Sequence, residues 1–194
     1  MYLDHDIEER ISKIAFAYAD KGRKSFDVQH LNAAVFYMKE LIDHEGGDLR
    51  ILLPTILLHD IGYAGKLGDN YTRDDVQKAK KEHMQAGAEM AKKILVGIEY
   101  FSLKEINEIS FIISIHDNKE EVAKATNSNV QLVFEADSLA QIDHELAPPS
   151  YDHDDLMKFI ERFKTRRVPL FKTRYGLKKM EELLAKYMIF LASH

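Results

Sequence analysis

The chain has 194 residues, which favours one domain with room for a hydrophobic core. Its net charge of −5 argues against a general nucleic-acid binder, and the lack of cysteine excludes disulfides, thiolate metal ligands and thiol catalysis. The first residues are acidic and do not resemble a signal peptide, and no apolar run approaches the ~18 residues of a membrane span. The sequence therefore favours a cytoplasmic protein.

Apolar residues recur at intervals of three and four almost throughout, which predicts an all-α fold, a single-domain helical bundle. Ser102 and Glu105 form a capping box at the start of the fifth helix. Pro54 should kink the third helix or mark a later start, and Pro148-Pro149 should break the chain after the sixth. A loop is expected over 63–72. The predicted helices cover roughly 4–20, 27–44, 48–61, 74–95, 102–116, 128–143, 152–165 and 174–192.

The third predicted helix ends in an unusual pair of polar residues. The helix is apolar on every side, which predicts burial, yet it closes with His59-Asp60. A buried carboxylate needs a cation or a strong hydrogen-bond network to stay ionised. Asp137 repeats the pattern, because it shares an apolar helix face with Val130 and Val133. The alternatives are a solvent-exposed helix end for Asp60 and an ion pair with a buried arginine for Asp137.

Three further histidines lie on apolar helix faces. His30 heads a stripe in the second helix, His83 lies on a stripe of the fourth, and His116 ends that of the fifth. Each alone is more often a packed core histidine, but five helices with an ionisable group on a buried face suggest convergence on one point. Four imidazoles and two carboxylates suit Mn, Fe, Co, Ni or Zn better than Mg. Two ions about 3.5–4 Å apart use six ligands better than one ion does.

The order of these residues resembles the HD-domain superfamily of metal-dependent phosphohydrolases. Its hallmark is a histidine, an adjacent His-Asp pair and a later aspartate, all on helices. The surrounding stretches at 57–62, 82–88 and 135–137 are similar as well. The resemblance covers about residues 27–140, the core that would carry the metal site, and a C-terminal helical extension follows over about 150–194.

The resemblance implies a divalent transition metal as cofactor, one ion or two. The ligands it implies for one metal ion are His30, His59, Asp60 and Asp137. His83 and His116 would hold a second ion with Asp60 as the bridge. A mononuclear site, in which those two histidines bind phosphate or transfer protons, stays open.

The sequence departs from the cyclic-dinucleotide phosphodiesterase branch of the superfamily. In that branch a lysine closely follows the His-Asp-Ile-Gly stretch and a Gly-Tyr-Pro motif appears later. Here three residues intervene before Lys66, and no Gly-Tyr-Pro occurs. The chain is more similar to small stand-alone bacterial or archaeal HD hydrolases, including its tail from residue 171 to 176.

The function implied by the resemblance is hydrolysis of a phosphoester, with a nucleotide or related small phosphate compound as substrate. The reaction would be attack of metal-activated hydroxide on phosphorus, with Asp60 as the catalytic carboxylate that orients it. Lys66, in the loop after the metal-binding helix, is the first candidate for a catalytic and phosphate-binding cation. Arg23 is the second candidate for substrate binding. The alternative for Lys66 is a solvated loop lysine.

Other charged residues are predicted to be structural or solvated. The lysines of the 78–81 run could face substrate, but they are more typical of a solvated helix face. Arg166 and Arg167 are predicted to be surface charges. Asp117 is predicted to be an exposed helix end, or a partner that orients His116.

Other classes of protein fit the sequence less well. A non-catalytic HD module that senses a nucleotide or binds a partner would not need all six candidate ligands. A ferritin-like site relies on Glu-x-x-His pairs, which the chain lacks. An oxygenase that uses the same ligand set stays open. We expect a small phosphorylated substrate, no nucleic-acid polymer and no membrane, with a homodimer as one option for the apolar stripe of the last helix.

Overall fold

The computed structural model describes residues 3–23, 26–67, 73–149 and 152–193. Within these ranges every regular element is helical, so the all-α prediction is confirmed. None of the described helices is long and apolar enough to cross a membrane. Two 3₁₀ helices cover Ile61–Tyr63 and Val168–Leu170. The α-helices are α1 (His5–Ala19), α2 (Asp27–Glu45), α3 (Leu49–Leu58), α4 (Arg73–Ile98), α5 (Leu103–Ile115), α6 (Lys119–Lys124), α7 (Ser128–Ile142), α8 (His153–Arg166) and α9 (Arg174–Ala192).

Local capping explains where several helices begin. The predicted capping box of Ser102 and Glu105 starts α5, with both of its hydrogen bonds present. Asn118 caps α6, a short helix that the apolar periodicity did not predict, by accepting hydrogen bonds from two backbone N–H groups. Pro54 lies inside α3, so of the two predicted alternatives, a kink or a later start, the later start is wrong. Of the predicted loop at 63–72, residues 68–72 lie outside the described residues.

The central helix of the bundle is α3. Every residue from Ile51 to Leu58 is buried, and the helix packs against α1, α2, α5 and α7. Helix α4 packs on α5 and on the first 3₁₀ helix, and α9 packs on α2 and α7. Within α9, Met180 belongs to the core, whereas Leu177 and Met188 stay partly exposed. The C-terminal end of α3 therefore lies inside the bundle, which is where the polar pair follows it.

A buried carboxylate attaches the C-terminal extension to α7. Glu135 accepts hydrogen bonds from the backbone N–H groups of Lys172 and Thr173, at 2.7 and 3.0 Å, and from the Thr173 hydroxyl. The glycine at 176 is required there, because a Cβ would overlap a carboxylate oxygen of Glu135. These contacts fix the start of α9 beside the helix that carries Asp137.

Candidate metal centre

The candidate ligands are carried by five helices whose buried faces or ends meet. His59 is the C-cap residue of α3, with Asp60 next to it, and His116 is the C-cap residue of α5. The other three lie within helices: His30 in α2, His83 in α4 and Asp137 in α7. All are buried except Asp60, whose side chain is 18 % exposed.

Gly62 allows α4 to approach the end of α3. A Cβ at this position would overlap the carbonyl oxygen of His83 and crowd the backbone nitrogen of Gly87. The ring of Tyr63 then stacks on the His83 imidazole, with ring centroids 4.2 Å apart. The Ile-Gly that follows His59-Asp60 therefore has a packing reason: only glycine lets the fourth helix bring its histidine to the cluster.

The carboxylate of Asp60 lies between two pairs of imidazoles. Its Oδ2 atom is 3.7 Å from Nε2 of His30 and 3.4 Å from Nε2 of His59. Its Oδ1 atom is 3.4 Å from Nε2 of both His83 and His116. The first group also contains Asp137, whose Oδ1 atom is 3.1 Å from Nε2 of His30. The donors thus form two groups that share Asp60, and each group can hold one metal ion.

Backbone hydrogen bonds fix which histidine nitrogen faces the cluster. The Nδ1 atoms of His59, His83 and His116 lie 2.7–2.9 Å from the carbonyl oxygens three residues before them. A carbonyl only accepts, so Nδ1 carries a proton and Nε2 is the nitrogen that faces the cluster. In the neutral form of both rings, the Nε2 lone pairs of His83 and His116 face each other at 3.5 Å. A cation satisfies both lone pairs, so the residues fit a divalent metal ion.

The electrostatics of the cluster also favour a bound cation. Burial lowers the pKa of His59, but the carboxylates of Asp60 and Asp137 outweigh it and raise this pKa to about 9. Burial lowers the pKa of His83 to about 4, so this ring is neutral and available as a ligand. The pKa of Asp137 lies well below its usual value, against the effect of burial, chiefly because of the Arg167 guanidinium. The pKa of Asp60 also lies well below its usual value against the effect of burial, chiefly because of His59, so both carboxylates stay ionised at the centre of the bundle.

Arg167 is the residue that the sequence analysis missed. It was predicted to be a surface charge, but only 4 % of it is exposed. Its Nη1 atom donates to Oδ2 of Asp137 at 2.9 Å and to the Ser138 hydroxyl at 2.6 Å, and its Nη2 atom donates to Asp117. The arginine partner considered as the alternative for Asp137 is thus present, but it contacts only Oδ2; Oδ1 faces His30 and His59 and also accepts a hydrogen bond from Gln141. The prediction of an exposed Asp117 is wrong as well, since it is 9 % exposed.

The two predicted phosphate-binding cations have different surroundings. Arg23 lies 3.8 Å from Oδ2 of Asp60 and is held by hydrogen bonds to Asp27. Lys66 lies elsewhere, with its ammonium group 2.9 Å from Glu82. Arg23 lines the cavity beside the cluster, whereas Lys66 is not among the described residues that line it. The structure therefore brings Arg23 to the site and leaves Lys66 outside it.

A cavity of about 800 Å³ opens over the cluster. One wall comes from the helices that carry the candidate ligands. The C-terminal extension contributes the apolar or aromatic side chains of Leu156, Phe159, Phe163 and Tyr187 together with charged ones, Asp155 and three arginines. The cations that line the cavity among the described residues are Arg23, Lys80, Lys119, Arg162, Arg166 and Arg167. A small anionic molecule with an apolar part fits such a cavity.

The fold and the cluster together define an all-α protein with a buried set of histidine and aspartate donors for divalent metal ions. The sequence matches the HD domain family over residues 28–142, which is more than half of the chain. The chain therefore belongs to the HD domain family, a superfamily of metal-dependent phosphohydrolases, and the resemblance seen in the sequence is confirmed. No curated protein and no solved structure matches the chain.

Proposed function

We propose that the chain is a metal-dependent phosphohydrolase that acts on a small phosphoester, a nucleotide or a related compound. The observation that carries the proposal is the position of Asp60. Each of its carboxylate oxygens faces a different pair of imidazole nitrogens, at 3.4–3.7 Å. A carboxylate so placed is suited to bridge two cations, which is a common arrangement for hydrolysis of phosphoesters.

The proposed cofactor is a pair of divalent transition metal ions. The all-nitrogen and oxygen ligand set suits Mn, Fe, Co, Ni or Zn. The proposed ligands of the first ion are His30, His59, Asp60 and Asp137, and those of the second are Asp60, His83 and His116. This uses every candidate ligand, and that completeness favours an enzyme over a non-catalytic module of the same family.

When bound, the metal ions lower the pKa of water and polarise the phosphoryl oxygens. Arg23 would bind the phosphoryl group that reacts, because its guanidinium faces the cavity next to Asp60. Asp27 holds that guanidinium at 2.6 Å, and the rings of Phe26 and Tyr63 lie 4.6 and 4.7 Å from it. An arginine fixed in this way can neutralise the charge that develops on the phosphoryl oxygens without reorganising.

Metal content and hydrolysis, measured on wild type and on Asp60→Asn, test the proposal. Protein purified without chelator is analysed for metals, then assayed against phosphomonoesters and phosphodiesters with added Mn²⁺, Co²⁺, Ni²⁺ or Zn²⁺. We expect about two ions per wild-type chain. The variant should lose at least one ion, because asparagine cannot bridge two cations as a carboxylate does. Its activity should fall by more than the roughly 100-fold typical of losing an outer-shell partner of a metal ligand.

The matched control is Asp43→Asn, an exposed aspartate of α2. It should keep wild-type metal content and activity. A wild type that binds none of these ions, or an Asp60→Asn variant that keeps full activity, would contradict the proposal.

A further inference from the structure

A second group of charges lies beside the metal cluster, around the aspartate that follows His116. Asp117 is buried and contacts three cations. Nζ of Lys80 lies 3.0 Å from its Oδ2 atom, Nζ of Lys119 lies 2.7 Å from Oδ1, and Arg167 donates to the same Oδ1. These residues come from α4, α6 and the end of α8, so the fold brings them together from distant parts of the chain.

The charges of this group do not balance. Among the described residues, Asp117 is the carboxylate that all three cations share, and Arg167 divides its charge between Asp117 and Asp137. Three cations therefore lie within hydrogen-bond distance of one carboxylate, which leaves an excess of positive charge at this position.

The excess charge faces the cavity. The side chains of Lys80 and Lys119 are 41 % and 31 % exposed, and both line the cavity over the metal cluster. They are also separate from the cation proposed to bind the reacting phosphoryl group, because Arg23 contacts Asp60 whereas the lysines contact Asp117. A molecule in the cavity therefore meets cations at two positions.

We propose that Lys80 and Lys119 form an oxyanion subsite that binds a second phosphate group of the substrate. The preferred substrates would then be small compounds with two phosphates, one held at the metal cluster and the other on the two lysines. The assignment of the first phosphate rests on the proposed function, whereas the subsite itself needs only the lysine pair. Asp117 positions the two ammonium groups, and Arg167 holds Asp117 in turn.

Binding of phosphonates, which the hydrolysis of a phosphoester cannot consume, tests the subsite. Isothermal titration of metal-loaded protein compares propylphosphonate with propane-1,3-bisphosphonate. We expect wild type to bind the bisphosphonate about tenfold to hundredfold more tightly, as charge-assisted hydrogen bonds to a second anion would give. In Lys80→Gln/Lys119→Gln the two affinities should agree within about twofold. Lys80→Arg/Lys119→Arg should restore the preference, because it keeps both charges.

The control Lys39→Gln/Lys186→Gln changes two lysines that pair with Glu8 and Glu145 on the surface, outside the cavity. It should keep the wild-type preference. If the glutamine double variant kept the wild-type preference for the bisphosphonate, the subsite would be overturned. So would binding of inorganic phosphate that depends on the lysines without any gain for the bisphosphonate, since that marks an adventitious ion only.

A further titration distinguishes failure of the proposed function from failure of the subsite. Propylphosphonate is titrated with and without metal. If metal does not change its affinity, the proposed function is contradicted, whereas the subsite is still tested by the lysine variants. If the double variant does not fold, the single variant Lys80→Gln is titrated in its place. It should fold, because Lys119 and Arg167 still neutralise Asp117, and it should show a weaker preference for the bisphosphonate than wild type. A wild type that binds both phosphonates equally would overturn the subsite without any variant.

Discussion

Arg167→Met removes a buried cation from between two buried carboxylates, and its cost should depend on whether metal is bound. Removing one partner of a buried ion pair costs about 3–5 kcal/mol, because the other charge stays buried. Asp117 keeps Lys80 and Lys119, so the loss falls mainly on Asp137. We therefore expect the lower end of that range, about 3 kcal/mol, for the metal-free protein.

Metal ions bound next to Asp137 would neutralise part of the buried negative charge that the arginine no longer balances. The same variant should then lose clearly less stability when loaded with Mn²⁺ than when metal-free. For a chain of this size about 1 kcal/mol corresponds to 2–4 °C, so the metal-free variant should melt about 6–12 °C below the metal-free wild type. Thermal and urea unfolding of both proteins, with and without metal, measure the difference.

Arg50→Met is the matched control. Arg50 pairs with Glu105 near the surface, where the two side chains are 18 % and 20 % exposed. Its loss should cost about 1 kcal/mol or less and should be the same with and without metal. A cost for Arg167→Met that is equally independent of metal would refute the idea that this arginine stabilises a metal ligand, and so would a cost below about 1 kcal/mol.

Two further predictions concern the packing under the cluster and an ion pair away from it. Gly62→Ala should push α4 outward, displace His83 and lower the metal content of the purified protein. The control Gly97→Ala places its Cβ in open space and should leave the metal content unchanged. Elemental analysis of the two variants measures the difference. The hydrogen bond from Arg50, together with those from Ser102, lowers the pKa of Glu105 from 4.5 to about 2. The stability that this pair contributes should therefore be present above pH 4.5 and be lost as pH falls toward 2, and Glu105→Gln should lack that acid dependence in urea unfolding across this pH range.

The candidate ligands were predictable because each breaks a local rule of the sequence. An ionisable residue on an apolar helix face, such as His83 or Asp137, is visible in the periodicity of its own helix. The all-α fold follows from the same pattern, whereas the family came from the resemblance of the motifs and their order to the HD-domain superfamily. What the pattern does not contain is the partner of each group, because contacts such as Arg167 to Asp117 join residues 50 positions apart.

The errors have different causes. Arg167 stands in an Arg-Arg pair at the end of an amphipathic helix, and it continues the buried apolar stripe of Leu156, Ile160 and Phe163. The helix periodicity therefore does set it apart from the exposed Arg166, although both were predicted to be surface charges. Lys66 was chosen because it follows the His-Asp pair closely in the chain. The backbone turns at Gly65, which has a φ of +72°, and Lys66 pairs with Glu82 instead of lining the cavity. Proximity in sequence is thus a weak guide once a loop intervenes.

The C-terminal extension does more than cover the bundle. It lies outside the matched family range, yet it contributes Arg167 to the cluster and both apolar and charged side chains to the lining of the cavity. Helix α7 carries two buried carboxylates two residues apart, and both find partners in the extension: Glu135 at residues 172–173, and Asp137 at Arg167. Arg167 contacts only Oδ2 of Asp137, whereas Oδ1 faces His30 and accepts a hydrogen bond from Gln141. The segment that lines the cavity therefore also contacts one of the proposed metal ligands, so a change in the extension should alter both the cavity and the proposed metal centre.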